Sequence, residues 1–289
     1  MILNFSLPPL FGYALIMILG TALGSYLNSW MWRIYGVSSN PPAPLSSLEA
    51  TLSLSKRSQG GRGVLARRSV CVHCGRKLAW FENIPLVSFI VLWGKCKTCK
   101  KSIPRDYFFV ELATGLGFIF LAWYDFHHSI IIPAEIFRDL FFFALLTVIF
   151  VYDLKYYLIV SNLVWAGAVV ALIINYFFLG LSAYSLLLGM AVGSGFFLLQ
   201  YIVSKGRWIG GGDVRLGVLM GALLGWPNIL AALFISYILG AVVALPLLIF
   251  KKKGMRSEIP FGTFLSVGTL VALFWGSQIV HWYSDLIGW

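Results

Sequence analysis

Charge is what this sequence has least of. Only 11% of its 289 residues are charged and only 11 are acidic, against 59% hydrophobic and 16% aromatic residues. A soluble globular protein has no use for so much apolar surface, so the bilayer must solvate most of it. Cysteine is confined to four positions, Cys71, Cys74, Cys96 and Cys99, all in one polar segment. No G-x-x-x-x-G-K-[ST] stretch occurs, and no strand precedes the glycines of "IGGGDVRLG" (209–217). An acid also stands where a phosphate would need donors, which removes the nucleotide-loop reading. No G-x-G-x-x-G follows a strand either, so spacing alone predicts no dinucleotide-type cofactor fold. No internal repeat is visible, which argues against a transporter built from inverted halves. The N-terminus lacks a basic stretch and its first apolar run passes Trp30, which predicts no cleavable signal peptide.

What remains is a polytopic membrane protein. Apolar runs long enough to span fall at roughly 9–33, 107–124, 136–153, 162–179, 183–203, 208–225, 228–250 and 261–283. Between the first two lies the one large polar segment, about 34–106. It holds the cysteines, the linker-like "SSNPPAPLSSLEATLSLS" and the basic "KRSQGGRGVLARR". The sixth run is the short one. Counting it puts all of the 22 Lys and Arg residues except Arg138 on one side; omitting it sends "KKKGMR" (251–256) across the membrane. The positive-inside tendency therefore predicts eight spans with both termini outside and the polar segment in the cytosol. The net charge of +11 is explained by this topology, and no nucleic-acid partner is expected. The fold class expected is all-α and polytopic, with about eight transmembrane helices. A small cytosolic zinc-binding domain would lie between helices 1 and 2.

The cysteines form two C-x-x-C pairs, open to a disulfide or a metal reading. Cytosolic placement disfavours persistent disulfides. Four thiolates at this spacing suit tetrahedral Zn²⁺ in a closed structural site, with a redox dithiol as the other reading. Such a site would staple the polar segment and leave no position open for substrate.

Most of the acids have ordinary explanations. Glu49, Glu82 and Asp106 lie in the polar segment; Asp125, Glu135, Asp139 and Asp285 lie near outer ends; Glu258 follows a basic cluster. Glu111, Asp153 and Asp213 fall at or inside the cytosolic ends of spans, where a charge is costly and function is the default suspicion. Asp153 and Asp213 share a leaflet, so a folded bundle can bring their carboxyls together for aspartic proteolysis. The plainer reading is that each caps a turn or a helix start. Spacing alone leaves both open.

These stretches resemble the bifunctional prepilin leader peptidases. "GGGDVRLGVLMGALLGW" (210–226) is similar to that family's G-x-G-D signature, and "GSYLNSWMWRI" (24–34) to the end of its first span. Residues 71–112, from "CVHC" to "FFVEL", resemble its cysteine domain, and "EIPFGTFLSVG" (258–268) the entrance to its last span. The resemblance implies an enzyme of the bacterial inner membrane. It would cleave the basic leader from type IV prepilins or pseudopilins, then methylate the new N-terminal amine with S-adenosylmethionine. It implies Asp153 and Asp213 as the catalytic pair, with Gly210 and Gly212 as the motif glycines; glycine there would permit φ > 0 and close approach of substrate backbone. It implies Cys71, Cys74, Cys96 and Cys99 as zinc ligands. For methyl transfer it points to Gly94, Lys95 and Glu82, with Glu111 steering the amine or, alternatively, pairing with Arg105. The implied domains are a first helix (1–33), a cysteine domain (34–106) and a seven-helix peptidase domain (107–289). One departure stands out: after Asp153 the chain reads "LIVSN", with Val160 where relatives carry proline. A peptidase with a purely structural zinc domain, a proton-coupled transporter and a non-catalytic scaffold are the alternatives.

Overall fold

Backbone amides in hydrocarbon have no water to bond to, so apolar runs of this length satisfy themselves as helices. The computed structural model describes residues 9–38, 69, 71, 73–128, 132–249 and 259–288. Glu49, Glu258, the linker beyond Ser38, the basic stretch 56–68 and the 251–256 cluster lie outside the described residues. Among the described residues there is no strand, only an isolated bridge between Lys95 and Ser102. The helices are α1 (Pro9–Ser38), α2 (Val87–Val91), α3 (Arg105–His127), α4 (Pro133–Tyr156), α5 (Ser161–Ile173), α6 (Ala183–Ser204), α7 (Gly211–Leu224), α8 (Asn228–Ile249) and α9 (Phe261–Leu286). A 3₁₀ turn (Trp80–Asn83) precedes α2, and a π turn (Ile174–Phe178) continues α5.

Helices occupy all eight places where spans are expected. Six are long and apolar enough to cross: α1, α3, α5 with its π turn, α6, α8 and α9. The chain is therefore a multi-pass membrane protein. Of the other two, α4 is 24 residues long but carries Glu135, Arg138, Asp139, Asp153 and Lys155. At 14 residues, α7 covers about 21 Å of a hydrocarbon core about 30 Å thick.

Two compact units divide inside α3, one within Met1–Ala122 and the other within Trp123–Trp289. In the first, α1 meets α3 through small residues. A Cβ at Gly20 would lie 2.9 Å from the Thr114 carbonyl oxygen, and one at Gly115 would lie 2.5 Å from the Thr21 methyl. The Asn28 amide donates to the Tyr107 carbonyl at 3.1 Å.

In the second unit, α7 packs against α5, α6, α8 and α9. Its contact with α6 is backbone on backbone. A Cβ at Gly193 would fall 2.5 Å from the Gly217 carbonyl oxygen, and one at Gly217 2.6 Å from that of Gly193. Two G-x-x-x-G runs, Gly189/Gly193 and Gly217/Gly221, thus face each other, as small-residue pairs do where lipid supplies no hydrophobic drive. The short α7 also needs its end satisfied within the bundle. Fully buried Asn175, at the π turn, donates to the Ala222 and Leu223 carbonyls at 2.9 and 2.8 Å. Gly225 then turns the chain at φ +67°, a conformation suited to glycine.

Candidate active site

Asp213 is the third residue of α7, and its carboxylate turns back on its own helix start. Oδ2 accepts from the Gly210 N–H at 3.1 Å, satisfying a donor that the helix leaves unpaired. Asp153 lies in the last turn of α4, where Tyr157 ends the helix at φ 55°. Its carboxylate reaches a different helix start: Oδ2 accepts from the Thr263 N–H of α9 at 2.8 Å, with the Gly262 N–H also directed at it. Both aspartates are therefore helix caps, Asp213 of its own helix and Asp153 of one 110 residues away. Each occupies the N-terminal end of a helix dipole, which favours negative charge. Both are buried, Asp153 at 4% and Asp213 at 7% exposure.

One side chain ties the two positions together. Ile159, in the turn after α4, lies 3.0 Å from where a Gly212 Cβ would stand and 3.1 Å from a Gly262 Cβ. The latter Cβ would also stand 2.9 Å from Asp153 Oδ2. The two aspartates thus flank one side chain, that of Ile159. At the start of α5, Ser161 accepts a hydrogen bond from the Arg215 guanidinium of α7, so the "LIVSN" stretch is anchored to the same helix as Asp213.

The expectation of φ > 0 at the motif glycines is overturned. Gly210 sits at φ −78°, ψ 155°, and Gly212 is an ordinary helical residue. Gly212 is needed for space beneath Ile159. A Cβ at Gly210 would meet Asp213 Oδ2 at 3.7 Å and Gly212 N at 3.9 Å, so the glycine leaves open room beside the carboxyl. Sequence reasoning missed Gly262, Thr263 and Ile159; the Gly-Thr pair opening the last span, in "PFGTF", was the available signal.

The cysteines come together. All four Sγ atoms lie within 4.8 Å of one another, all four are free thiols, and Cys71 and Cys99 are 3.9 Å apart. A tetrahedral ion with bonds of about 2.3 Å needs sulfurs about 3.8 Å apart, so the group could hold a metal. The pairs are built alike. The Cys71 carbonyl accepts from Gly75 N–H at 2.9 Å, and the Cys96 carbonyl from Lys100 N–H at 3.0 Å. Both turn residues have positive φ, +68° and +57°. The N–H groups of Cys99 and Thr98 point at the Cys96 sulfur and pull its thiol down to about 6, preparing a thiolate.

Four further acids prove buried. Glu82 is bonded to Arg76 at 2.7 Å and to the Ala79 N–H at 2.8 Å, which holds its carboxyl below the usual range. Glu82 therefore knits the cysteine segment. Glu111 accepts from the Leu86 N–H at 2.9 Å and from the Ser25 hydroxyl, which fixes the turn after "ENIP". Gly94, at φ +63°, lies with Phe89 2.9 Å from its Cβ position, and the Lys95 side chain is exposed. At the far end of α4, Asp139 is 2% exposed and takes the Arg138 Nε–H at 2.8 Å, with Glu135 at 3.4 Å from the same guanidinium. Asp125 is 6% exposed. Of the four acids placed near outer ends, Asp125 and Asp139 are buried while Asp285 is exposed, and Arg138 is the partner that makes the burial of Asp139 tolerable.

Residues 140–245 match the model of the type IV leader peptidase family, and residues 18–125 that of the bacterial peptidase A24 N-terminal domain. A prepilin leader peptidase/N-methyltransferase of Stutzerimonas stutzeri is 33% identical over 92% of this chain and 92% of its own. The chain belongs to the type IV leader peptidase family. A second relative with that name, from Pseudomonas aeruginosa, is 30% identical over 94% of this chain and 93% of its own. A third, from Bacillus subtilis, is 28% identical over 77% and 88%. No solved structure matches the chain. The leader-peptidase match contains Asp153, Ile159 and Asp213, and the N-terminal match contains the cysteines, Glu82 and Glu111. Gly262 and Thr263, which hold Asp153, lie beyond both.

Proposed function

We propose that this chain cleaves the leader from type IV prepilins or pseudopilins with Asp153 and Asp213, then N-methylates the new N-terminus. The observation that carries the peptidase reading is the pair of buried carboxylates, each on a helix N-terminus and joined through Ile159. One carboxylate takes a proton from a water, and the resulting oxygen attacks the scissile carbonyl. The other, protonated, donates to the carbonyl oxygen, and a proton then passes to the leaving amide nitrogen. Two like charges in so small a volume favour one proton shared between them. The backbone donors at Gly210 and Thr263 hold each carboxyl in place without consuming both of its oxygens. Capping and catalysis are thus compatible, and the open room beside Gly210 leaves space for an extended substrate backbone.

The cysteine cluster serves as a structural Zn²⁺ site, since its four sulfurs have the spacing of a closed tetrahedron. When bound, S-adenosylmethionine supplies an electrophilic methyl group. Glu82 and Glu111 spend their carboxylates on Arg76, Ala79, Leu86 and Ser25, so they act by shaping the segment around Gly94. The exposed Lys95 amine is the candidate for contact with the donor. We read α4 and α7 as membrane elements too, giving eight. The cysteine segment is then cytosolic, in the inner membrane of a bacterium, because that arrangement keeps the basic loops on one side.

The test is co-expression with a prepilin, scored by gel shift and N-terminal mass. Asp153→Asn and Asp213→Asn are each expected to abolish cleavage. Normal processing by either variant overturns the pair, and unmethylated product from the unaltered chain overturns the transferase half.

A further inference from the structure

The segment between the first two spans carries an apolar face that the peptidase reading leaves unused. Trp80 is 79% exposed, Trp93 88%, and Val87, Ile90 and Val91 all more than half. Five large apolar side chains in one short stretch, outside any span, mark a contact surface. On α2 it is Phe89 that faces inward, its ring 5.2 Å from that of Phe108 on α3 and tight against Gly94. Val87, Ile90 and Val91 turn out.

The internal bonds of this unit set the depth of that face. The Leu86 N–H, at the start of α2, is bonded to Glu111, six residues into the membrane-capable helix α3. At 1.5 Å per residue this is about 9 Å along its axis. The Phe89–Phe108 contact and the Asn28–Tyr107 bond secure the same level. On α3 at this level Phe109 is itself 61% exposed, as a lipid-facing residue would be. The α2 face is thus held beside the first turns of a membrane span.

Charge names the occupant. From residue 73 to residue 105 there are seven Lys and Arg residues and one carboxylate, Glu82, which Arg76 already neutralises. Lys97, Lys100 and Lys101 are exposed, and the Lys97 ammonium stands 5.4 Å over the Phe81 ring. Tryptophan with flanking lysine is the chemistry of the membrane–water boundary, where rings sit at headgroup level and ammonium groups meet phosphate. A basic leader peptide would be repelled by the same lysines.

We propose that Trp80, Val87, Ile90, Val91 and Trp93 lie in the lipid interface beside α3, with the lysines against anionic phospholipid headgroups. The cysteine segment is then seated on the membrane as well as tethered to it, which fixes its height relative to a substrate emerging from the bilayer.

The test is photo-crosslinking of the full chain, with p-benzoylphenylalanine at Ile90, at Trp93 or at the exposed α3 residue Leu116. The host is vesicles of phosphatidylethanolamine and phosphatidylglycerol. Phospholipid adducts are expected at Ile90 and Trp93 at yields within about threefold of Leu116, and replacing phosphatidylglycerol by phosphatidylcholine should at least halve them. Lipid adducts at Leu116 alone overturn the proposal. So do adducts at Ile90 and Trp93 that run to a second copy, or to an added prepilin peptide, in place of lipid. A yield indifferent to phosphatidylglycerol overturns the role of the lysines.

Discussion

The tightest contact in the proposed catalytic locus is one that a single methyl group can break. In Gly262→Ala the new Cβ would stand 2.9 Å from Asp153 Oδ2 and 3.1 Å from its Cγ, with Ile159 Cδ1 at 3.1 Å on the other side. Ordinary contact begins near 3.4 Å, so the carboxylate has to retreat by about 0.5 Å or α9 has to shift. Retreat strains the 2.8 Å bond from Thr263, a charge-assisted bond whose loss is worth about 1.5–3 kcal/mol. A misplacement of about 1 Å costs roughly a hundredfold in rate, so half of that predicts about tenfold slower cleavage. Folding should suffer less, because alanine regains up to about 1 kcal/mol of helix propensity over glycine. Gly195→Ala, on α6 and outside this locus, is the control, since its Cβ meets nothing within 4 Å. The assay is cleavage of a prepilin by purified full-length variants, followed by gel shift. Methylation of an already processed pilin peptide reports that the protein is intact. Cleavage by Gly262→Ala at the unaltered rate would refute the reasoning.

Asn175→Leu leaves the Ala222 and Leu223 carbonyls without their donor and should cost about 1–3 kcal/mol; thermal unfolding in detergent measures it. Gly221→Leu drives a side chain into the backbone of α6 at Gly189 and Met190, and is expected to prevent the α6–α7 crossing, seen as loss of folded protein on size-exclusion chromatography. Cys96→Ser, or chelation of the metal, should reduce bound zinc to well below one per chain by elemental analysis and lower methylation, leaving leader cleavage within about twofold. Arg76→Met strands buried Glu82, so proteolysis near residues 76–94 should rise, and Glu82→Gln added to it should reverse part of the effect.

Much of this molecule was legible because bilayers impose few solutions. Apolar run length located every long helix, and C-x-x-C spacing located the cysteine cluster. Three things were hidden, each for a physical reason. The depth of the acids was one: Asp125 and Asp139 stand next to polar neighbours in sequence, yet both are buried, Asp139 with its carboxylate on Arg138. The second was the true use of the motif glycines. Glycine in a sequence signals either unusual φ or close approach, and only coordinates separate the two; here Gly212 makes room for Ile159 at ordinary helical dihedrals.

The third was the partner of Asp153, and it changes what the motif means. The capping and catalytic readings of the two aspartates looked like rivals, and the geometry makes them compatible. Asp213 caps α7 from within, so its acid and the helix start that orients it travel together in a single short motif. Asp153 instead caps α9, whose first turn arrives 110 residues later. A carboxyl held this way is positioned only when the last span has docked, so one half of the proposed pair is assembled by tertiary structure alone. That explains why "IGGGDVRLG" announces itself in the sequence while "FVYDLKYY" does not. It also follows that changes at Gly262 or Thr263, remote in sequence from either aspartate, should weaken cleavage as surely as changes in the motif.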